Sequence, residues 1–175
     1  MKKITLVFLL SAFVGVSQLV KAQNRVAHIN SLELLSLLPE KQSADDQLKT
    51  LKDQKVAELK KQEETFTAKY ENIQKDLQGK SQEELAKMKD QIQKYEEDFQ
   101  KDQQSLVALR EEAGKALDEK QRDLYDPIMK KAQDAINEVA KEKGYLYILD
   151  TSQPSLLYAD GPNILNDVKA KLGVK

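Results

Sequence analysis

The stretch LQGKSQEEL, residues 77–85, decides the fold that this sequence predicts. It lies within a long, charged segment that is rich in helix-forming residues. Gly79 can adopt the left-handed conformation that closes a helix. Ser81 and Glu84 have the spacing of a capping box, which opens a helix. The stretch therefore predicts the tip of a helical hairpin, with its turn near residues 79–81.

Both flanks of this tip carry apolar residues at helical spacing in an otherwise charged sequence. On the outgoing side these are Ala44, Leu48, Leu51, Val56, Leu59, Phe66, Tyr70, Ile73 and Leu77. On the returning side, Leu85, Ile92, Phe99, Leu106 and Ala113 form a heptad series, and Met88, Tyr95, Leu109 and Ala116 form a second one, interrupted by Asp102. This pattern predicts an antiparallel pair of helices of about 40 residues each, on the order of 60 Å long. The predicted contacts across the pair are Ile73 with Met88, Phe66 with Tyr95, and Leu59 with Asp102.

The two ends of the chain predict a small body that contains β-strands. Strands are predicted over residues 25–30, 145–149 and 155–159, and short helices over 31–38 and 164–172, with Asn30 and Asn163 as caps. Residues 23–39 and 127–175 would then form the body, and residues 40–126 would form an arm inserted between the strands. The fold class is mainly α with a small β body.

Two residues in the return path could disturb a helix. Pro127 is predicted to mark the place where the arm enters the body, because proline removes a helical hydrogen bond. Gly114 is interpreted either as a flexible point or as a close-packing position. The helix that follows Pro127 is expected to end at Gly144.

Residues 1–22 have the features of a secretory signal. Lysines at positions 2 and 3 precede an apolar stretch, and the small residue Ala22 lies before the expected cut. An uncleaved anchor is the alternative, but the apolar stretch is short for a membrane span. The chain has no cysteine, so we expect an exported protein stabilised by packing or by oligomerisation, without disulfides.

Charge and composition disfavour several classes of function. Without residues 1–22 the chain has 25 basic and 29 acidic residues, which disfavours a nucleic-acid-binding surface. His28 is the only histidine and lies in a predicted strand, where a structural role is expected. Zinc needs three or four nitrogen and sulfur ligands, which this sequence does not offer. The sequence also has no glycine-rich phosphate loop, so nucleotide binding is not expected. We expect a protein that is not an enzyme and that needs no metal or cofactor.

The remaining candidates for function are apolar side chains on the arm. Two helices bury only part of such side chains against each other, so some should remain partly exposed. The candidates are Phe66, Tyr70, Tyr95, Phe99, Leu106 and Val107. They predict loose binding of a nonpolar partner, and the alternative is that they only form the seam between the helices.

The two terminal segments resemble the Skp/OmpH family of periplasmic chaperones. The first is RVAHINSLELLSLLPE, and the second is DPIMKKAQDAINEVAKEKGYLYILDTSQPSLLYADGPNILNDV. The resemblance implies a homotrimer whose helical arms surround a cavity that holds unfolded outer-membrane proteins in the periplasm without ATP. It also implies that three bodies join through their strands, for which the candidate residues are Val26, Ile29, Leu146, Ile148, Leu156 and Leu157.

The sequence departs from this family in two places. Residues 44–126 contain 16 basic and 21 acidic residues, whereas well-studied relatives have basic arms. This acidity argues against contact with lipopolysaccharide or an anionic membrane. At the last helix, Asn163-Ile-Leu165 replaces the Asp-Ile-Thr that is frequent in relatives.

The alternative function is a periplasmic coiled-coil adaptor or spacer with one defined envelope partner.

Overall fold

The computed structural model describes residues 25–174, which are mainly helical with one small pair of strands. In chain order the elements are β1 (Val26–Ile29), α1 (Ser31–Ser36), α2 (Pro39–Leu77), α3 (Gln82–Lys87), α4 (Lys89–Lys143), β2 (Tyr147–Asp150) and α5 (Leu165–Leu172). The predicted fold class, with a long helical hairpin inserted between strands, is confirmed. The predicted signal over residues 1–22 lies outside the described residues. Among the helices from α1 to α5, none combines the length and apolar character needed to cross a membrane.

The chain divides into two compact units. The body unit contains the described residues up to Leu38 together with those from Ile128 onward, and the arm unit is Pro39–Pro127. Helix α4 contributes to both units, and it continues through Pro127.

The two strands of the body unit pair in parallel. Val26 lies opposite Tyr147, and Ile29 lies opposite Asp150. Because side chains alternate along a strand, Val26, His28, Tyr147 and Leu149 share one face of the sheet. Ala27 and Ile29 are on the other face and are buried.

Helices cover this second face and form the core of the body unit. Along α4 the buried residues recur every three or four positions, as expected for one helical face. The buried set is Ala27, Ile29, Leu34, Leu35, Leu38, Ile128, Ala132, Ala135, Val139, Ile164, Leu165 and Val168. The core therefore draws on both ends of the chain.

The strand predicted over residues 155–159 is absent, so this prediction was wrong. A segment further along the chain occupies the outer edge of β1 instead. The His28 amide donates to the Pro162 carbonyl at 2.9 Å, and the Ile164 amide donates to the His28 carbonyl at 3.0 Å. Since β1 pairs with β2 on its other edge, residues 155–159 find no strand partner there.

The tip of the arm forms as predicted. Gly79 has a φ of 82°, in the left-handed region. The Glu84 amide donates to Ser81 Oγ at 3.3 Å, and the Ser81 amide donates to Glu84 Oε2 at 2.8 Å, which completes the capping box. The two hydrogen bonds satisfy amides that the start of α3 leaves without helical partners.

The returning helix is not continuous from the tip, contrary to the sequence prediction. Helix α3 has six residues and ends at Lys87, and the amide of its C-cap residue Met88 donates to the Leu85 carbonyl at 3.1 Å. The long helix α4 begins only at Lys89. The extra turn of α3 lengthens the connection and changes which residues meet across the arm.

The predicted pairing of the two arm helices is consequently wrong in register. The ring of Phe66 contacts that of Phe99, with centroids 5.5 Å apart, where Tyr95 was expected. Asp102 accepts a hydrogen bond from Lys69 at 2.6 Å, where a contact with Leu59 was expected.

The remaining cap and glycine predictions have mixed outcomes. Helix α4 ends at Lys143, and Gly144 has a φ of 74°, as expected. Asn30 Oδ1 accepts from the Glu33 amide at 3.0 Å, and Asn163 Oδ1 accepts from the Leu165 amide at 2.9 Å.

A Cβ atom at Gly114 would meet no atom within 4 Å, so close packing within the chain does not require this glycine.

Candidate functional site

Three aromatic rings form a cluster between the two helices of the arm unit. Phe66 and Tyr70 are one turn apart on α2, with ring centroids separated by 4.5 Å. Phe99 of α4 lies 5.5 Å from Phe66 and meets Tyr70 edge to face at 4.6 Å. All three side chains are half-buried. The cluster thus holds the helices together while each ring keeps part of its surface in solvent.

A groove of about 370 Å³ lies beside this cluster, and we call it the arm groove. Its lining is mostly apolar and half-buried. The lining residues are Tyr70, Ile73, Leu77, Ile92, Tyr95, Glu96, Phe99 and Gln100. Such a groove can accept apolar side chains without a change in the fold of the arm.

The charged side chains closest to the aromatic cluster pair with one another, with one lysine between two carboxylates. Lys69 Nζ lies 2.6 Å from an Asp102 oxygen and 3.7 Å from an Asp98 oxygen. The hydrogen bond from Lys69 holds the pKa of Asp102 below its usual value, and the same bond raises the pKa of Lys69. Burial raises the pKa of Tyr70, whose hydroxyl donates to Asp102 at 3.3 Å. These polar groups satisfy each other, which leaves apolar contact as the main interaction available in the arm groove.

Four of the six predicted arm residues come together, and two do not. Phe66, Tyr70 and Phe99 form the cluster, and Tyr95 lines the arm groove next to Phe99. Leu106 is only 9% exposed, so the prediction that it is partly exposed was wrong, because it packs in the seam. Val107 is 53% exposed but lies on another surface of α4, away from the arm groove.

Sequence reasoning missed part of the lining of this groove. Ile73, Leu77 and Ile92 are half-buried and line it, although their helical spacing had suggested only a seam. The signal that could have identified these lining residues was the pair of apolar series on either side of the tip. To use this signal, one must know which residues of the two helices lie opposite each other, and that register depends on α3.

The structure separates the six predicted body residues into two groups. Val26, Leu146 and Leu157 are exposed, at 42%, 58% and 94%. Ile148 and Leu156 are half-buried. Ile29 is a core residue that the chain buries by itself, which leaves it no free surface for joining copies.

Further exposed apolar side chains in the body unit were missed. Tyr147 and Leu149 are 66% and 41% exposed and share a sheet face with Val26, and Tyr158 is 78% exposed. Alternation in the sequence identified the strand residues, but it did not predict which face of the sheet the core would cover.

The body unit also contains a polar network at the end of β2. Asp150 accepts hydrogen bonds from the Ser31 hydroxyl at 2.5 Å, the Ser31 amide at 3.1 Å and the Ser152 amide at 3.0 Å. Burial by itself raises the pKa of Asp150, but these hydrogen bonds outweigh it and hold the pKa well below the usual value. The carboxylate therefore stays charged and joins β2 to the start of α1.

The hydroxyl of Ser31 in this network is held by a carboxylate and by a second hydroxyl. Ser31 has no imidazole or lysine beside it that could activate its hydroxyl, since its side-chain partners are Asp150 and Ser152. Across residues 25–174, no three histidine, cysteine or acidic side chains lie close enough to hold a metal ion.

Comparison with known proteins agrees with this architecture. The model of the family described as Outer membrane protein (OmpH-like) matches residues 25–172. Chaperone protein Skp of Vibrio cholerae serotype O1 is 28% identical over 134 residues, covering 75% of this chain and 74% of Skp. A crystal structure of an OmpH-like protein from Caulobacter crescentus CB15 has a TM-score of 0.62 and 16% identity, and the match covers 86% of this chain and 85% of that one. This match is a likeness of fold. The match along almost the whole described chain establishes that this protein belongs to the OmpH-like family.

Proposed function

We propose that this protein is an ATP-independent periplasmic holdase that binds unfolded outer-membrane proteins and prevents their aggregation. The observation that carries the proposal is the arm groove, in which half-buried apolar residues lie beside a lysine that is already paired with Asp102. Membership of the OmpH-like family and the similarity to a protein named chaperone Skp support it. Export to the periplasm is supported by the signal features of residues 1–22.

The groove suits loose binding more than tight recognition. Burial of apolar surface contributes about 25 cal/mol per Å², and the lining residues are already half-buried before a client arrives. Each contact therefore adds little, and many weak contacts along a client would be needed. A client that folds removes its own apolar side chains from these contacts and is released without nucleotide.

We further propose that the working form is a homotrimer. The sheet face with Val26, Tyr147 and Leu149 is apolar and exposed. Within residues 25–174, β2 pairs only with β1, so its other edge is open to another chain. Joining three copies would cover both the face and the edge, together with Leu146, Leu156 and Leu157. The trimer would also place three arms around one cavity.

The charge of the arm limits the partners that we propose. Because residues 44–126 carry a net charge of −5, we expect no binding to nucleic acid, lipopolysaccharide or an anionic membrane. Clients are held by apolar contacts, so added salt should weaken their binding only modestly.

The experiment is suppression of aggregation. An outer-membrane β-barrel protein is diluted from urea with the protein present in threefold excess and without nucleotide, and light scattering is followed over time. We expect scattering to fall for several such clients and to remain unchanged for their folded forms. If none of the clients is protected, the holdase proposal is wrong. An adaptor with one defined envelope partner, recovered as a single stoichiometric complex from periplasmic extract, then replaces it.

A further inference from the structure

Asp160 and Gly161 form the only Asp-Gly dipeptide of the chain, and the sequence contains no Asn-Gly. Both residues are exposed and lie in the irregular segment between β2 and α5. When glycine follows aspartate, no Cβ keeps the glycine nitrogen away from the side-chain carboxyl. This dipeptide is therefore suited to an intramolecular attack of the backbone on the side chain, provided that the fold leaves both groups free.

Pro162 explains why the backbone is free at this point. On the outer edge of β1, the His28 amide donates to the Pro162 carbonyl, and the His28 carbonyl accepts from the Ile164 amide. The next bond of this parallel ladder would run from the nitrogen of residue 162 to the Val26 carbonyl, but proline has no N–H. The pairing therefore stops at Pro162, and the Gly161 amide donates to no group among the described residues.

The side chain of Asp160 is free as well, since it has no hydrogen bond or ion pair with any residue that the structure describes. Asp150, ten residues earlier, is the opposite case. Its carboxylate accepts hydrogen bonds from Ser31 and Ser152, and the amide that follows it, that of Thr151, donates to the Ile29 carbonyl at 2.8 Å.

Asp167, the next aspartate after Asp160, is also held at both groups. Its carboxylate lies 2.7 Å from Lys143 Nζ, and the amide of Val168 donates to the Ile164 carbonyl at 3.0 Å. Of the three aspartates in this part of the body unit, only Asp160 combines a free carboxylate with a free amide on the residue that follows.

Neither conformation nor space requires glycine at position 161. Gly161 lacks the positive φ of Gly79, Gly144 and Gly173. A Cβ at residue 161 would lie 3.5 Å from the Val26 carbonyl oxygen and 4.0 Å from His28 Nδ1, which are ordinary contacts. Alanine therefore fits here, and Gly161→Ala changes access to the nitrogen without disturbing the fold.

We propose that Asp160-Gly161 is a site of spontaneous backbone modification, at which Asp160 converts to isoaspartate. The Gly161 nitrogen attacks Cγ of the protonated carboxyl, an N–Cγ bond forms, and the amide proton and a carboxyl oxygen leave as water. The product is a five-membered succinimide. Water then adds to one of its two carbonyls. Cleavage of the N–Cγ bond restores aspartate, whereas cleavage of the bond between the nitrogen and the former backbone carbonyl carbon gives isoaspartate, with no net change in composition.

Isoaspartate would alter the segment that it joins. The backbone then runs through the former side chain and gains one methylene between Ala159 and Gly161. Residues 162–164 are held on β1, whereas Leu157 and Tyr158 before the site are 94% and 78% exposed. The modification would therefore redirect an exposed apolar segment and leave the core of the body unit intact. This inference does not depend on the proposed holdase function.

The test locates isoaspartate in aged protein. The folded protein is incubated at neutral pH for several weeks and digested with trypsin, which cleaves after Lys143 and Lys169 and so places all three aspartates in one peptide. Electron-transfer fragmentation distinguishes isoaspartate from aspartate at each position. Gly161→Ala is compared with wild type. In Asp160→Asn the same ring forms with loss of ammonia, which raises the mass of the peptide.

A matched control separates the effect of the fold from that of the dipeptide. Thr151→Gly creates a second Asp-Gly at Asp150, whose carboxylate and following amide both remain held by backbone and serine partners. We expect this second dipeptide to remain aspartate in the folded protein and to isomerise in urea. Equal rates at Asp150 and Asp160 in the folded variant would mean that the fold does not select the site, and would overturn the inference.

In wild type we expect isoaspartate to accumulate at Asp160 and not at Asp150 or Asp167. The rate should be about tenfold lower in Gly161→Ala, because a Cβ hinders the approach of the nitrogen. Asp160→Asn should gain mass at residue 160. If Asp160 isomerises no faster than the other two aspartates, or if Asp160→Asn keeps its amide, the inference is wrong, whatever the outcome of the aggregation experiment.

Discussion

Lys69 and Asp102 form an ion pair of 2.6 Å between the two helices of the arm, at the seam position where the second heptad series is interrupted. Tyr70 also donates a hydrogen bond to this carboxylate. Exposed ion pairs contribute little to stability on average. A polar residue in an apolar seam, however, can be satisfied in only one register, and polar seam residues are known to specify register. The pair therefore favours the alignment, set by the length of the connection at the tip, that brings Phe66 and Phe99 together.

Reversal of the charges should test this role. We expect Lys69→Glu to lower the melting temperature of the arm, because it places a third carboxylate beside Asp98 and Asp102. The double variant Lys69→Glu with Asp102→Lys should recover much of the loss. Circular dichroism melts at low and high salt measure both effects, and the difference should shrink in high salt. Failure of the double variant to recover would mean that the pair does not act between the helices.

The existence of the arm was predictable from its sequence, but its register was not. The heptad series and the Gly79 and Ser81 signals predicted a hairpin, and the structure confirms both signals. No residue near Lys87 predicts the end of α3, since the residues around it favour helix. Because the pairing of every later residue depends on the length of the connection, that single break displaced the partners of Phe66 and Asp102.

The surface residues were predicted less well than the elements. Alternation identified β1 and β2, but it could not show which face the helices cover. Ile29, which the chain itself buries, was therefore placed among the residues expected to join copies, and Tyr147 was missed. The segment 155–159 has the composition of a strand, yet residues 162–164 occupy the edge of β1. Competition for one strand edge depends on tertiary structure, which a local pattern does not contain.

The capping box at the tip should be locally stabilising. Ser81→Ala removes the acceptor for the Glu84 amide, and we expect a loss of roughly 0.5 to 2 kcal/mol in the stability of α3. Hydrogen exchange over residues 77–87 should accelerate, while the mass in light scattering stays unchanged because the substitution leaves the body unit intact. Ser105→Ala on α4 is the control, since alanine is favoured within a helix. Unchanged protection at the tip would contradict the importance of the box.

The exposed apolar surface of the body unit should be where copies join. Leu146 is 58% exposed, so Leu146→Asp is tolerated by the isolated chain. In a trimer the carboxylate would be buried without a partner, which is strongly unfavourable. We expect light scattering to fall from about three chain masses to one, with helicity retained. Leu32→Asp, at a position 65% exposed on α1, is the control and should leave the mass unchanged. A wild-type protein that is already monomeric would refute the trimer.

The stability of the body unit should depend on pH through Asp150. Hydrogen bonds from Ser31 and Ser152 overcome the effect of burial and depress the pKa of the folded state, whereas the unfolded value is about 3.9. The carboxylate therefore stabilises the fold above about pH 4, and this contribution is lost as the pH falls toward the folded value. We expect Asp150→Asn to lower the free energy of unfolding by about 1.5 to 3 kcal/mol at pH 7. Urea titrations at pH 7 and pH 3 should show a smaller difference from wild type at the lower pH, and an equal difference at both would contradict this account.

Serine substitutions should separate residues that hold the arm together from residues that contact the client. Phe99 makes two aromatic contacts, and each such pair contributes about 0.5 to 1.5 kcal/mol, so Phe99→Ser should destabilise the arm by about 1 to 3 kcal/mol. Phe66→Ser and Tyr70→Ser should act in the same direction, because both rings belong to the cluster. Thermal melts followed by circular dichroism measure this loss.

Tyr95 is different, because it lines the arm groove and has no ring contact with the cluster. Its hydroxyl bonds are made at the surface, to Gln91 and Asp76, so their loss should cost little. We therefore expect Tyr95→Ser to keep the helicity and melting temperature of wild type but to protect an aggregating client less well. Val56→Ser, at an apolar position 55% exposed on α2 and outside the groove, should change neither property. If Tyr95→Ser lowers helicity instead, Tyr95 is a seam residue. If it changes neither stability nor protection, the arm groove is not where clients bind, because a groove that captures apolar side chains must lose affinity when one of its walls becomes polar.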